Sequence, residues 1–253
     1  MRRVLLAVVL VLAGCGEPEG SSTLEQRSRA VGETLEHRVY VPEGASDHPP
    51  LLVLLHGRGG DAKSMISDAL VDALDEAGDR APVVLSPDGG DSSYWHNRRD
   101  GKWARMVIRE AIPAAIERTG ADPERIAIGG ISMGGFGALH LAAAFPERFC
   151  AVGAHSPAIF AEAGLSAAGA FDDAEDFDRH DLIARASQIP RGAWVDVGDQ
   201  DPFAPAVRTL VARMDAPRFH PWKGGHDGDY WNAHTDEYVD FYVRELERCG
   251  KRG

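Results

Sequence analysis

An unbroken run of five apolar residues, Leu51 to Leu55, places the strongest constraint on how this chain folds. Strands buried on both faces have continuous apolar sequences, whereas strands with one face in water alternate apolar and polar residues. The run ends at Leu55, and the glycines Gly57 and Gly59 follow shortly after it. The run therefore predicts a central strand of a mostly parallel sheet, with helices covering both faces.

Further short apolar runs alternate with helical patterns along the chain. Other strands are predicted at residues 37–41, 83–86, 125–129, 150–154, 194–197 and 218–220. Helices are predicted near 64–77, 102–119, from about 133 to 145, 205–214 and 234–248. Pro113 falls inside the second helix and is expected to kink or split it. This regular alternation favours an α/β fold with an open, mostly parallel sheet.

A long segment, residues 158–189, separates the strands predicted at 150–154 and 194–197 and is rich in Ala and Asp. Connections of this length are uncommon in compact domains unless they serve a function. Ligands bind at the carboxyl ends of the strands in open α/β sheets. We therefore expect residues 158–189 to form a short cap over that edge.

Composition excludes several classes of protein. Of the 253 residues, 44% are hydrophobic, which is enough to bury a core. The 39 acidic against 27 basic residues give a formal charge of -12, whereas a nucleic-acid-binding surface needs the opposite imbalance. Three cysteines are too few for a disulfide scaffold and lack the spacing of a zinc site. No nucleic-acid partner is expected.

The N-terminus has the pattern of an export signal. Met1-Arg2-Arg3 precedes ten apolar residues at 4–13, too few to span a hydrocarbon core that needs about 20. The run ends in Leu12-Ala13-Gly14-Cys15, which resembles the lipobox of bacterial lipoproteins, where cleavage before the cysteine leaves it lipidated. An ordinary secretory signal with a chance cysteine is the alternative.

These signals divide the chain into three parts. Residues 1–14 are predicted to form a lipoprotein signal peptide, residues 15–34 a flexible tether, and residues 35–253 one α/β domain. Cys15 is the predicted lipidation site, and its acyl chain would hold the protein at a membrane. The protein is expected to be secreted across the cytoplasmic membrane and anchored in the bacterial cell envelope.

The candidate nucleophile is Ser132, which lies in the sequence Gly130-Ile131-Ser132-Met133-Gly134. This G-x-S-x-G pattern falls between a predicted strand and a predicted helix, as a nucleophile elbow requires. Glycines permit the close approach of strand and helix at such a strained turn, and a helix N-terminus favours negative charge. A serine without chemistry in a glycine-rich turn is the alternative, and the strand-to-helix context favours the nucleophile.

An oxyanion hole needs one N–H donor beside the nucleophile and another from a loop across the cleft. The backbone N–H of Met133 is the first candidate. The second is expected from the loop His56-Gly57-Arg58-Gly59-Gly60, which follows the apolar strand as the HG-type loop does in lipases and esterases. The Arg58 N–H is favoured there, with Gly57 or Gly59 as alternatives, and His56 is expected to orient the loop.

The general base is expected late in the chain, because catalytic residues of α/β-hydrolases follow the order Ser, acid, His. His226 is favoured, since it lies in a glycine-rich loop between the last predicted strand and the last predicted helix. His234, at the start of that helix, is its rival. The other histidines after the serine are expected to be structural or to lie in the cap: His140, His155, His180 and His220.

The acid is expected in or after the strand at 194–197. Asp196 alternates with apolar residues and belongs to the strand itself, whereas Asp199 and Asp201 lie in the loop that follows. Spacing alone does not separate Asp199 from Asp201. Turn capping is the expected role of the one that is not used.

Five motifs occur here in one order: His56-Gly57-Arg58-Gly59-Gly60, Pro87-Asp88-Gly89, Gly130-Ile131-Ser132-Met133-Gly134-Gly135, Gly198-Asp199-Gln200-Asp201-Pro202-Phe203 and Gly225-His226-Asp227. Together they resemble the esterase group of the α/β-hydrolase superfamily, which includes esterase D (S-formylglutathione hydrolase), feruloyl and acetyl xylan esterases, and the antigen 85 mycolyltransferases. The resemblance covers about residues 35–246 and implies an α/β-hydrolase fold.

The resemblance also implies roles. The acid of the group falls on Asp201, the base on His226, and the oxyanion donors on Met133 and Arg58. Arginine at position 58 departs from the group's pattern and places a charged side chain beside the cleft, so the acyl or alcohol pocket is expected to differ.

The implied activity is hydrolysis of carboxylic esters through a Ser132-His226-Asp201 triad and an acyl-enzyme, without a metal or an organic cofactor. A small-molecule or carbohydrate ester is the expected substrate. Two alternatives stay open, an acyltransferase that uses the same triad and a non-catalytic binding lipoprotein on a hydrolase scaffold.

Cys150 and Cys249 remain once Cys15 is assigned to the lipid. Two unpaired thiols are favoured over a disulfide, because Cys150 is predicted in a buried strand and Cys249 in a loose C-terminal segment. A Cα separation above about 7 Å would exclude the bridge.

Overall fold

Eight strands form a single sheet in the order β1-β2-β4-β3-β5-β6-β7-β8. The computed structural model describes residues 18–250, so the predicted signal peptide and Cys15 lie outside the described residues. The strands are β1 Ser21–Arg27, β2 Thr34–Tyr40, β3 Leu51–Leu55, β4 Val83–Ser86, β5 Ile126–Gly130, β6 Ala151–His155, β7 Trp194–Gly198 and β8 Arg218–Trp222. Pairs β1–β2 and β2–β4 are antiparallel and the other neighbours are parallel, which confirms the predicted mostly parallel sheet.

The helices are α1 Asp68–Ala77, α2 Trp103–Met106, α3 Ile112–Thr119, α4 Met133–Ala144, α5 Ala174–His180, α6 Ala204–Val211, α7 Gly228–Ala233 and α8 Thr235–Gly250. A π-helical turn, Val107–Ala111, joins α2 to α3 and places Pro113 in the first turn of α3. Proline is tolerated there because the first N–H groups of a helix have no intrahelical partner. The α-helical hydrogen bonding is thus interrupted just before Pro113, while the backbone stays helical on both sides, so the helix does not end there.

Alternate residues of β3 enter two separate cores, as expected for a strand covered on both faces. Leu51, Val53 and Leu55 belong to the core that also contains the apolar residues of α3, α4 and α6. Leu52 and Leu54 belong to the core formed with α1 and α8. Helices thus cover both faces of the sheet. Within residues 18–250, no helix combines the length and apolar character that crossing a membrane requires.

The segment predicted as a tether is part of the sheet from Ser21 onward, which corrects the predicted boundary at residue 35. Strand β1 pairs with β2 over its full length, from Ser21 opposite Tyr40 to Arg27 opposite Thr34. An edge strand needs only backbone pairing along one side, so its sequence can stay polar. Leu24 alone of β1 packs against the core, and the sequence therefore carries little strand signal.

The cap segment, residues 158–189, contains α5 and contacts the rest of the domain through both polar and aromatic groups. The Arg58 guanidinium donates to the carbonyl oxygen of Ala168 at 3.1 Å. The ring of Phe160 lies 5.6 Å from that of Phe203, in the loop after β7. These contacts place the cap segment beside the carboxyl ends of the parallel strands.

Cys150 and Cys249 form a disulfide, with their Cα atoms 5.8 Å apart, so the prediction of two unpaired thiols is wrong. Cys150 directly precedes β6. Helix α8 continues to Gly250 instead of ending at residue 248, and this extension carries Cys249 to the start of β6. The sequence did not indicate that the last helix packs against the amino end of β6.

Candidate active site

Ser132 occupies a sharp turn between β5 and α4. Its backbone has φ 52° and ψ -115°, a left-handed conformation that is strained for a residue with a side chain. A Cβ at Gly134 would collide with the carbonyl oxygen of Leu55, so the packing of α4 against β3 requires a glycine there. The N–H of Ser132 donates to the carbonyl of His155 at 3.1 Å. These constraints hold the serine at the carboxyl edge of the sheet.

Three side chains from separate loops meet at this edge. The Ser132 Oγ lies 2.8 Å from Nε2 of His226, and Nδ1 of His226 lies 2.7 Å from Oδ2 of Asp201. The His226 side chain is 21% exposed and Asp201 is fully buried. This arrangement matches the order nucleophile, base and orienting acid, with the imidazole open to a substrate on one side.

Asp201 is held by two further hydrogen bonds that the sequence did not reveal. The Ser156 hydroxyl donates to Oδ2 at 2.7 Å, and the N–H of Phe203 donates to Oδ1 at 2.7 Å. Ser156 follows β6 with φ 46° and is buried. Donors of this kind stabilise the charged carboxylate and fix its direction. No motif marks Ser156, because its role depends on β6 and β7 being neighbours in the sheet.

The rival residues lie elsewhere. Asp199 accepts from the N–H of Gly224 at 3.2 Å and pairs with Lys223 at 3.5 Å, so it caps the loop that carries His226.

The ring of His234 stacks on Trp222, with centroids 3.9 Å apart. His220 stacks on Trp194 at 3.8 Å. None of these side chains contacts the Ser132 hydroxyl.

The loop after β3 lies directly against Ser132. A Cβ placed on Gly57 would stand 3.5 Å from the Cβ of Ser132. Nδ1 of His56 donates to the carbonyl of Gly57 at 2.9 Å, and Nε2 accepts from the N–H of Gly89 at 3.0 Å. Burial lowers the pKa of His56, which favours the neutral ring that this pattern needs. His56 thus ties the loop that contains Arg58 to the turn after β4.

Met133 is the first residue of α4, and the first N–H groups of a helix have no intrahelical acceptor. Its N–H is adjacent to Ser132 in the chain and is the second candidate oxyanion donor, beside the Arg58 N–H. The structure therefore places both predicted donors on elements that border the serine, one on the loop after β3 and one at the start of α4.

A scan against family models matches residues 28–239 to the family described as "Putative esterase". The match covers most of the sequence and contains every residue of the site described above. The chain belongs to this esterase family. This agrees with the resemblance noted from the five motifs.

A sequence relative in this family is Esterase Rv1288 of Mycobacterium tuberculosis, which is 32% identical over 114 residues. The alignment covers 42% of this chain and 25% of the relative, so the chain spans about a quarter of that protein's length. The similarity therefore concerns one part of a longer protein.

Solved structures of esterases have the same fold. A ferulic acid esterase superposes with a TM-score of 0.76 at 20% identity, covering 89% of this chain and 98% of the other. An S-formylglutathione hydrolase from Agrobacterium tumefaciens superposes with a TM-score of 0.73 at 20% identity, covering 89% and 95%. The predicted α/β-hydrolase fold is confirmed.

Aromatic side chains flank the imidazole of His226. The rings of Phe203 and Trp231 lie 5.0 and 5.3 Å from that of His226. Tyr94 and Trp95, in contrast, are buried, and Nε1 of Trp95 donates to the His56 carbonyl at 3.3 Å. Of the aromatic residues near the motifs, Phe203 and Trp231 are thus the ones in contact with the base.

A second histidine–aspartate pair, His155 and Asp196, lies nearby and is almost completely buried, with side chains 3% and 0% exposed; it is called the sealed pair below. Nδ1 of His155 donates to Oδ2 of Asp196 at 2.7 Å, and its Nε2 accepts from the Tyr242 hydroxyl at 2.9 Å. The hydroxyls of Tyr230 and Tyr238 donate to Oδ1 of Asp196 at 2.9 and 3.0 Å. Burial first, and then the charge of Asp196, raise the pKa of both tyrosines, so they remain donors. Asp196 and His155 are structural.

Proposed function

We propose that this chain is a carboxylic ester hydrolase in which Ser132 is the nucleophile. The observation that supports it best is the continuous hydrogen-bonded path from Ser132 through His226 to Asp201, with distances of 2.8 and 2.7 Å, at the elbow of an esterase-family fold. In this path each group has the partner that its role in acyl transfer requires.

The first half of the reaction forms an acyl-enzyme. Ser132 Oγ attacks the ester carbonyl while His226 Nε2 takes the hydroxyl proton, and Asp201 stabilises the resulting imidazolium. The negative charge that develops on the carbonyl oxygen is stabilised by the N–H groups of Arg58 and Met133. The tetrahedral intermediate collapses when His226 returns the proton to the departing alcohol.

The second half hydrolyses the acyl-enzyme. Water attacks the acyl carbon and His226 takes its proton, and Ser132 then leaves as the hydroxyl with that proton returned. A sugar hydroxyl in place of water would make the enzyme an acyltransferase, so the two activities share every residue named here. The family name and the ester-cleaving neighbours favour water as the acceptor and small-molecule or carbohydrate esters as substrates.

The test measures hydrolysis of p-nitrophenyl acetate and butyrate by the wild type, by Ser132→Ala and by Ser46→Ala, an exposed control. Ser132→Ala is expected to lower kcat by at least about 10⁴-fold, and Ser46→Ala to leave it unchanged. A fluorophosphonate should label the wild type on Ser132 and leave Ser132→Ala unlabelled. An inert, unlabelled wild type would indicate a binding protein on this scaffold. If a sugar is added to the assay as acceptor, formation of acyl-sugar in place of free acid would indicate a transferase.

We also propose that Cys15 is lipidated and that the domain acts outside the cytoplasmic membrane. The lipobox-like Leu12-Ala13-Gly14-Cys15 supports this, and so does the Cys150–Cys249 disulfide, since such bonds persist in oxidising compartments. Mass spectrometry of the mature N-terminus should find a diacylglyceryl-modified cysteine. Cys15→Ser should release the protein from the membrane fraction, and an unmodified Cys15 thiol in the mature protein would refute the assignment.

A further inference from the structure

Three side chains with metal-binding atoms meet where α5 of the cap segment packs against the loop after β4, and none of them belongs to the proposed triad. His96 lies in the loop after β4, and Asp176 and His180 lie on α5. One ligand atom from each falls within 4.8 Å of the others. Nε2 of His96 lies 3.0 Å from Oδ2 of Asp176, and Nδ1 of His180 lies 3.2 Å from Oδ1.

Both imidazoles are largely buried, and Nδ1 of His180 donates to the carbonyl oxygen of Asp176 at 2.7 Å, a hydrogen bond that metal binding at this nitrogen would replace. His96 is fully buried, and the His180 side chain is 15% exposed. Burial, and then the neighbouring His180, lower the pKa of His96 to about 4. Burial also lowers the pKa of His180.

A third imidazole lies beside the group. His140, on α4, is buried, and its ring centroid is 5.0 Å from that of His180. In the part of the chain that the structure describes, Nδ1 of His96 and Nδ1 of His140 are buried and have no hydrogen-bond partner. Buried polar atoms without partners are uncommon in native proteins. In His96 this atom is the ring nitrogen on the other side from Nε2, which faces Asp176.

We propose that His96, Asp176 and His180 bind one divalent transition-metal ion, with Zn²⁺ as the ion that fits best. Two imidazoles and a carboxylate are a donor set that zinc uses, at about 2.0–2.2 Å from the metal. Tetrahedral ligands at those distances lie about 3.4 Å apart. The separations of 3.0 and 3.2 Å involve different oxygens of Asp176, Oδ2 toward His96 and Oδ1 toward His180, so the carboxylate would have to turn for one oxygen to bind the ion between the two imidazoles. A water molecule, or His140 after a small shift, would complete the coordination.

The Asp176 carboxylate also forms an ion pair with Arg179. Its guanidinium donates to Oδ1 of Asp176 at 3.1 Å, and its side chain is 58% exposed. A cation between His96, Asp176 and His180 would replace this charge, and Arg179 is free to turn toward solvent. The ion would then neutralise the charge of the Asp176 carboxylate in place of Arg179.

The site would stabilise the cap segment against the domain. Its ligands join α5 of the cap segment to the loop after β4. The same loop carries Arg98. Its guanidinium donates to the Asp172 carboxylate at 3.3 Å and to the carbonyl of Gly169, and both of these residues lie in the cap segment. The ion would therefore act on the position and stability of the cap and would not take part in ester cleavage.

The experiment measures zinc binding to the untagged, metal-stripped protein by isothermal titration calorimetry, with Co²⁺ as a spectroscopic probe. The wild type is compared with His180→Gln, Asp176→Asn and His48→Gln, an exposed control histidine. All four proteins share the same N-terminal segment, so metal bound there cancels in the comparison. His180→Gln removes the least buried ligand and carries the smallest risk of misfolding.

We expect the wild type and His48→Gln to bind one Zn²⁺ per chain and to show the intense visible bands of four-coordinate cobalt. His180→Gln and Asp176→Asn should weaken binding by at least about 100-fold, because loss of a ligand exceeds the roughly 10–100-fold cost of losing a group that only orients one. Zinc at a hundredfold excess over its Kd should raise the Tm of the wild type by about 5–10 °C.

Two results would overturn the site. One is a wild type that binds no stoichiometric zinc or cobalt. The other is binding that persists unchanged in folded His180→Gln and Asp176→Asn, as judged by their far-UV circular dichroism, which would place the metal elsewhere. Esterase activity enters neither readout, so the outcome is separate from that of the proposed function.

Discussion

Two histidine–aspartate pairs lie side by side at the carboxyl edge of the sheet, and in each the histidine Nδ1 is 2.7 Å from a carboxylate oxygen. They differ in what the other nitrogen meets. Nε2 of His226 faces the Ser132 hydroxyl and its side chain is 21% exposed, whereas Nε2 of His155 faces the Tyr242 hydroxyl and its side chain is 3% exposed. The same kind of pair can therefore be part of the packing or take the catalytic role that we propose for His226 and Asp201, depending on access and on the third partner.

The surroundings of the two carboxylates differ in the same sense. Asp196 accepts from four side chains, three of them aromatic residues that close over it: Trp194, Tyr230 and Tyr238. Asp201 accepts from His226, Ser156 and one backbone N–H, in a loop that leaves the imidazole open. We expect mutation of the first pair to change stability and mutation of the second to change the rate.

The largest expected effect is on the open pair. Asp201→Asn should lower kcat for p-nitrophenyl butyrate by about 10⁴-fold, because an amide favours the wrong imidazole tautomer and cannot stabilise the imidazolium. The free energy of unfolding should change by about 1 kcal/mol or less. Asp199→Asn, two residues away in the same loop, is the matched control and should keep near wild-type kcat. Equal losses in both variants would remove the distinction between them.

The next effect concerns the disulfide that joins the two elements around the sealed pair. Cys150 precedes β6, which ends at His155, and Cys249 lies on α8, which carries Tyr238 and Tyr242. Replacing both cysteines by serine should lower the free energy of unfolding by about 4.7 kcal/mol, as loop-closure entropy predicts for a separation of 99 residues. Urea denaturation measures the loss, and kcat should stay near wild type. The reduced wild type should match the variant, and an unchanged denaturation midpoint would contradict the expectation.

Asp196→Asn tests the sealed pair directly. An amide nitrogen would face donors that the carboxylate now accepts, so the free energy of unfolding should fall by about 2–4 kcal/mol. Chemical denaturation measures this, with Asp240→Asn on the exposed side of α8 as the control. The folded variant should retain kcat. A large loss of kcat at unchanged stability would show that the two pairs are coupled in catalysis.

The smallest expected effect comes from Ser156, which donates to Asp201, the proposed acid. Ser156→Ala removes a 2.7 Å hydrogen bond to the Asp201 carboxylate, and we expect kcat to fall about tenfold with KM unchanged. Fluorophosphonate labelling of Ser132 should slow in proportion. Ser46→Ala should alter neither rate. A rise in KM alone would instead indicate a role in substrate binding.

Most of the fold could be predicted because its strands and helices have strong local patterns. The continuous apolar sequence of β3 and the glycines around Ser132 specify their conformations through short-range sterics. Strand β1 could not be predicted, since an edge strand with a polar sequence is held by backbone pairing to β2. The disulfide depends on where α8 packs, which lies outside what a local pattern contains.

The candidate site divides in the same way. Ser132 and His226 follow from motif, context and chain order, because an elbow and a glycine loop are local structures. Asp199 and Asp201 are two residues apart in one loop, and spacing alone did not separate them; the family resemblance pointed to Asp201. In the tertiary structure, Asp201 turns inward to His226 while Asp199 turns to Lys223.

The sequence by itself thus determined the α/β class, the elbow that holds Ser132 and the loop that holds His226. Only the tertiary structure showed that Ser156 supports the acid, that His155 and Asp196 form a sealed second pair, and that His96, Asp176 and His180 converge under the cap segment. The physical reason is that each of these groups depends on contacts between residues far apart in the chain. Their directions are set by sheet order and helix packing, which no short stretch of sequence encodes.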